Sequence, residues 1–165
     1  MENKQIVDTL NSFHLPAYNE IPDVGLYLEQ VAKFINIYFK DFPEMQVTPS
    51  MISNYAKQKL FNRVNKKTYT REQIALLFFI ICSKTVLSIE NIRFAIQEIH
   101  NENETIENLY QYCKLHLIHA LSSFTQDDHT DKEEVISDES HRMLKNIITA
   151  VAHKMYLDRY FATKK

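Results

Sequence analysis

VTPSMISNYAKQKLFNRVNKKTYTREQIALLFFIICSKTVLSIENI, residues 47–92, contains the clearest helix signals of this chain. Thr48 stands directly before Pro49. This pair predicts a helix start, because Thr accepts a backbone N–H at an N-cap and proline loses nothing at the first helical position. Apolar residues at helical spacing follow, so the pattern predicts a short helix that runs to about Lys59.

A polar stretch and two further helices follow in the same segment. Residues 60–69 are rich in Asn and Lys and predict a loop or a minimal wing. Thr70-Arg71-Glu72-Gln73 has the form of a capping box and predicts the start of a strongly apolar helix through about Lys84. Ser88 is a good N-cap for the next helix, which ends before a polar break at residues 100–105.

The flanking sequence predicts more helices. Residues 15–25 include two prolines and the single glycine and read as an extended arm. Apolar spacing predicts a support helix from Leu26 to about Lys40, one at 106–124 and a last one from about 139 to 161. An acidic connector, residues 126–139, joins the last two.

Composition also favours an all-α protein. The 165 residues are 45% hydrophobic, enough for a real core, and contain one Gly and four Pro, too few for hairpin-rich folds. Cys82 and Cys113 lie inside apolar helical patterns and predict buried, reduced thiols. No leader and no apolar run long enough to span a membrane is evident, so we expect a cytoplasmic location without membrane contact.

Positive charge is concentrated in one segment, although the formal net charge is −2. Residues 1–44 contain seven acids against three lysines, and residues 72–165 contain fourteen acids against ten bases. Residues 45–71 contain six bases and no acid. An interaction with an anionic partner is therefore predicted for this segment and not for the whole surface.

Residues in this cationic segment predict contacts with double-stranded DNA. A helix that reads the major groove needs short polar side chains for base edges and nearby cations for phosphates. Tyr55 is open to two interpretations, a phosphate donor or a core anchor. An ordinary solvated surface would also look like this. The candidate DNA-binding residues are Thr48, Ser50, Ser53, Asn54, Tyr55, Lys57, Lys59, Arg63, Lys66 and Lys67.

The same segment resembles the winged helix-turn-helix of MerR-type regulators. Thr48 to Tyr55 resemble the reading helix of that family, and Lys66 to Tyr69 resemble the exit of its wing. Thr70 to Ile74 resemble the opening of the next helix, and Val86 to Ile92 resemble the last element of the family pattern. The resemblance implies a transcription regulator that binds DNA. The wing here is short and lacks the usual Gly and Arg-rich turn, and Asp41 to Val47 form a longer linker before the reading helix.

The chain is more similar still to a bacterial family known as domain-of-unknown-function family 1836. In that family the motifs "T-x-S-M-I-x-N-Y-V-K" and "K-K-x-Y-x-R-E-Q-I-A" recur. The matches here are Pro16 to Val31, Thr48 to Lys57, Lys66 to Ala75 and Val86 to Ile92. The resemblance implies a regulator-like module and no particular reaction, ligand or DNA site.

The remaining signals predict neither an enzyme nor a cofactor. Cys113-x-x-His116-x-x-His119 has no evident fourth ligand, and we assign no metal to it. Gly-rich phosphate loops, nucleophile elbows and HExxH patterns are missing from the sequence.

We expect an all-α architecture of two units. Residues 1–100 form the winged helix-turn-helix module with its arm, and residues 101–165 form a C-terminal pair of long helices. That pair completes the monomer core, forms a homodimer or binds a ligand between its helices. The rival function is a protein-interaction module of winged-helix descent that does not bind DNA.

Overall fold

A computed structural model describes residues 2–63, 67–124 and 138–165. Within these ranges the chain is all-helical, and the only extended pairing is one antiparallel bridge between Leu26 and Tyr69. Two 3₁₀ turns lie at Tyr18–Glu20 and Pro43–Met45. The helices are α1 (Glu2–Ser12), α2 (Leu28–Tyr38), α3 (Pro49–Lys57), α4 (Arg71–Ser83), α5 (Ile89–Asn101), α6 (Ile106–Ser123) and α7 (Glu139–Ala162).

The predicted helix starts are confirmed at the level of single hydrogen bonds. The hydroxyls of Thr48, Thr70 and Ser88 accept backbone N–H groups from the first turns of α3, α4 and α5. The sequence analysis assigned no helix before residue 15. The signal for α1 was present, since Ile6 and Leu10 lie four residues apart and are both buried.

Helix α4 is the centre of the fold. It is buried without interruption from Gln73 to Ser83, as expected of a helix that is apolar on every side. The Phe78 ring contacts the rings of Phe34 and Tyr38 on α2 at centroid distances of 6.2 and 5.8 Å. The arm is fixed to this core by the Tyr110 hydroxyl of α6, which donates to the Pro16 carbonyl at 2.6 Å.

The two C-terminal helices run parallel to each other. Near their N-termini the Tyr112 and His141 rings lie 4.8 Å apart. Twelve residues further along each helix direction, Phe124 lies 4.9 Å from His153. Contacts that advance in the same direction on both helices define a parallel pair, which short loops cannot connect.

Helices on both sides of the predicted boundary at residue 100 belong to one continuous core. This core contains Leu77 of α4 together with Leu117 of α6 and Val151 of α7. The division into residues 1–100 and 101–165 stays a prediction. Residues from both ranges pack against each other in the same core.

Both cysteines are buried and free, as predicted. Burial raises the pKa of the Cys82 thiol to about 12. Burial also raises the pKa of Cys113, with a smaller contribution from the charge of Cys82.

Across the part of the chain that the structure describes, every helix is too short or too polar to cross a membrane.

Candidate nucleic-acid interface

Helix α3 separates its side chains into a packed face and an exposed face. Ile52 is 0% exposed and Tyr55 is 5% exposed, and both pack into the core. Ser50, Asn54 and Lys57 are exposed and lie four and three residues apart, so they share one side of the helix. Short polar groups and a cation therefore form the solvent face of α3.

Three other predicted site residues lie at the N-terminal cap, the side and the packed face of this helix. The Thr48 hydroxyl accepts the Met51 N–H at 3.2 Å as the N-cap of α3, while its residue stays exposed. Ser53 is half-buried at the side of the helix. For Tyr55 the core-anchor interpretation describes the ring, and burial raises the pKa of its hydroxyl.

Helix α3 ends in a Schellman motif, two residues earlier than predicted. The Leu60 N–H bonds the Tyr55 carbonyl at 3.2 Å and the Lys59 N–H bonds the Ala56 carbonyl at 3.0 Å. Lys59 occupies the left-handed position of the motif with φ of 59°. Glycine normally stands there, so the sequence lacks the usual stop signal.

The loop after α3 holds the remaining predicted cations. The Arg63 guanidinium lies over the Tyr69 ring, 4.2 Å from its centroid, and the residue is half-buried. Lys67 is exposed. Lys66 lies outside the described residues, so its predicted phosphate contact stays a sequence prediction.

Two cations that the sequence analysis did not select lie against α3. The Arg93 guanidinium of α5 donates to the Gln58 carbonyl at the C-terminal end of α3, at 2.7 Å. The Lys84 ammonium lies 5.6 Å from the centroid of the Tyr55 ring, and burial lowers its pKa. Both residues are far from α3 in sequence, and only the packing of α4 and α5 brings them close.

The linker between α2 and α3 is fixed by a side-chain amide. Asn36 of α2 donates through Nδ2 to the Val47 carbonyl and accepts the Val47 N–H through Oδ1, both at 2.8 Å. The Gln46 amide donates to the Phe39 carbonyl at 3.2 Å. These bonds make the long linker an ordered connection that sets where α3 begins.

The arm and the loop after α3 meet at the Leu26–Tyr69 bridge. Each residue donates its N–H to the carbonyl of the other, at 3.3 and 2.8 Å. Gly25 precedes the bridge with φ of +78°, and a Cβ there would lie 3.2 Å from the Thr68 hydroxyl oxygen. Glycine is needed at this position because other residues rarely adopt that backbone conformation.

The residues considered for a metal do not form a cluster. Cys113 is buried, His119 is exposed, and the His116 ring packs on Tyr112 at 4.3 Å. Among the described residues, no group of three His, Cys, Asp or Glu side chains is arranged to hold an ion.

The fold and site describe an all-helical protein with an exposed polar helix and clustered cations at its C-terminal end. A family model, Domain of unknown function (DUF1836), matches residues 16–113. The chain belongs to this family, and the match includes the arm, all of α3 and the cations around it. Neither the curated proteins nor the solved structures contain a significant match to the chain.

Proposed function

We propose that this protein binds double-stranded DNA through α3, as a regulator that binds without catalysing a reaction and without a cofactor. The observation that supports this best is the solvent face of α3, where Ser50, Asn54 and Lys57 are exposed on one side. A major groove admits a helix, and an exposed Asn can form two hydrogen bonds with adenine.

Cations around the C-terminal end of α3 provide the phosphate contacts in this proposal. Phosphate contacts fix the register of a protein on the duplex, while base contacts give specificity. Arg93 is placed beside the end of α3 by its bond to Gln58. The complete phosphate-contacting set is Lys57, Lys59, Arg63, Lys66, Lys67 and Arg93.

The backbone at Lys59 gives independent support. Helix α5 ends in the same motif as α3, and there Asn103 occupies the left-handed position with φ of 56°. Asn tolerates that conformation, whereas Lys adopts it at a cost. A lysine at a position where the backbone favours Gly or Asn is consistent with a role for its charge.

In this proposal α2 and α3 are the two helices of a MerR-like helix-turn-helix. Their contact is direct, and Asn36 fixes the linker between them. The Leu26–Tyr69 bridge is then the base of a minimal wing, and Lys67 precedes this base by two residues.

The alternative is a protein-interaction module that uses the same helix. Among described residues, the large apolar side chains that remain exposed do not include any from α3. A docking helix normally presents apolar anchors at helical spacing, so the face of α3 favours a nucleic acid over a protein partner.

We also propose that a second copy of the chain binds to the C-terminal end of α7. Leu157, Tyr160 and Phe161 are 44%, 37% and 56% exposed on its last turns. Exposed apolar patches of this kind often mark contacts between subunits. Sedimentation equilibrium measures whether this protein forms a homodimer.

Fluorescence polarisation with labelled duplexes tests the DNA proposal. The duplexes are the upstream region of the protein's own gene and a scrambled control, each at low and moderate salt. The double variant Lys57→Gln, Lys67→Gln should bind more weakly. Each phosphate contact that is lost should reduce the slope of log K against log salt by about 0.9.

Arg142→Gln is the matched control, because this arginine is exposed near the opposite, N-terminal end of α7. Its affinity and salt slope should equal those of the parent protein. An unchanged slope in the double variant would contradict the phosphate role. Failure to bind either duplex at low salt would favour the protein-interaction alternative.

A further inference from the structure

The C-terminal helix contacts the linker in front of α3. Arg159, in the last turns of α7, donates through Nη2 to both carboxylate oxygens of Glu44, at 2.7 and 2.8 Å. Its guanidinium also lies over the Phe42 ring, 5.3 Å from the centroid. The Arg159 side chain is 16% exposed and the Glu44 side chain 38%, so water reaches the carboxylate more than the guanidinium.

Of the two residues that Arg159 contacts, Phe42 is part of the core and Glu44 is exposed on the linker. Phe42 is 2% exposed and its ring meets the Phe13 ring edge-on at 5.2 Å. Glu44 belongs to the 3₁₀ turn Pro43–Met45, four residues before Thr48, the N-cap of α3. Arg159 therefore restrains the middle of the linker at Glu44, while Asn36 restrains its last residue, Val47.

We propose that Arg159 is a positioning residue for α3, through which the C-terminal helix sets how α3 is presented to DNA. This inference rests on the proposed function for its effect on affinity. Its structural part, that Arg159 restrains the linker and the start of α3, can be measured without DNA. A change at the end of α7 would then reach the DNA surface through the linker.

A purely electrostatic role for the pair makes a different prediction. Without its partner, Glu44 would place a negative charge close to α3, and this charge would repel phosphates. If neutralisation were the only role, Glu44→Gln would bind DNA more tightly than the parent. If Arg159 restrains the linker, Glu44→Gln removes the restraint and binds more weakly.

The experiment measures amide hydrogen exchange over residues 42–58 and DNA affinity in Arg159→Gln, Glu44→Gln and the exchanged pair Glu44→Arg, Arg159→Glu. Each single variant should exchange faster in this segment and bind roughly three- to tenfold more weakly, with an unchanged salt slope. The exchanged pair should recover most of both losses. Arg159→Lys should lie between the parent and Arg159→Gln.

Arg142→Gln is again the control on the same helix, and affinities are measured well below the melting temperature of each variant. Unaltered exchange over residues 42–58 in Arg159→Gln would overturn the proposal, whatever the melting temperature does. A salt slope reduced by about 0.9 would instead make Arg159 a phosphate contact. If the parent binds no duplex, the proposed function fails, and the exchange data alone decide the role of Arg159.

Discussion

At the scale of single residues, the most informative position is Asn36. One amide satisfies both the donor and the acceptor of Val47, which a carboxylate or an aliphatic side chain cannot do. The sequence around Asn36 shows an ordinary amphipathic helix, and nothing in it indicates a partner eleven residues away. Its role is a product of how the linker folds back on α2.

We expect Asn36→Asp to lower the free energy of unfolding by about 1–3 kcal/mol. The new carboxylate oxygen would face the Val47 carbonyl in place of the amide donor, and the acceptor of Val47 would lose its partner. Urea unfolding followed by circular dichroism measures the change. Asn91→Asp makes the same chemical change at an exposed position of α5 and should stay within about 0.5 kcal/mol of the parent. Equal effects of the two substitutions would contradict this account.

At the scale of elements, the end of α3 combines structural cost with proposed function. Lys59 closes the helix in a left-handed conformation that costs a non-glycine residue about 1 kcal/mol or more. The charge at this position interacts favourably with the C-terminal end of the helix dipole, and an anion bound nearby would add a second, larger interaction. Stability and binding should therefore respond in opposite directions to a change at Lys59.

Lys59→Gly should raise the free energy of unfolding by about 1 kcal/mol, because glycine accepts positive φ without strain. The same variant should bind duplex DNA more weakly in the polarisation assay. Asn103→Gly at the end of α5 is the matched control and should gain less, since Asn already tolerates the conformation. A loss of stability in Lys59→Gly would show that the lysine side chain contributes more through packing than its backbone costs.

At the scale of the whole molecule, α4 joins the two predicted units into one core. Cys82 of α4 and Cys113 of α6 belong to different predicted units, yet they line the same small cavity with Phe78, Tyr110 and Leu117. Contacts across this cavity connect residues on either side of the predicted boundary. We therefore expect the two units to unfold together.

Thiol labelling in a urea series tests this expectation. Burial and a pKa raised to about 12 at Cys82 keep that thiol protonated at pH 8, and the reactive species is the thiolate. In Cys82→Ala and Cys113→Ala variants, the remaining cysteine should become reactive only at the main unfolding transition. Exposure of Cys113 at a lower urea concentration than Cys82 would show that the C-terminal helices open as a separate unit.

The region that matches the family model stops before the C-terminal helix that contacts the linker. The matched region ends at Cys113, inside α6, so the second half of α6 and all of α7 lie beyond it. Arg159 belongs to that outer part and still reaches the linker of the matched region.

The sequence by itself determined the all-α class and most helix boundaries of this protein. N-caps and capping boxes act within four residues, and helical periodicity is a local property, so Thr48, Thr70 and Ser88 could be interpreted directly. The polar face of α3 was visible for the same reason. The cationic segment could be identified by counting the charged residues along the sequence.

Tertiary structure alone decided which distant residues meet. Burial of Tyr55, the approach of Arg93 and Lys84 to α3, and the pair of Arg159 with Glu44 depend on how helices pack around α4. These contacts join residues separated by 29 to 115 positions. The local pattern of residues along the sequence does not indicate such contacts, because helix packing is determined by the total fit of the core and not by any local signal.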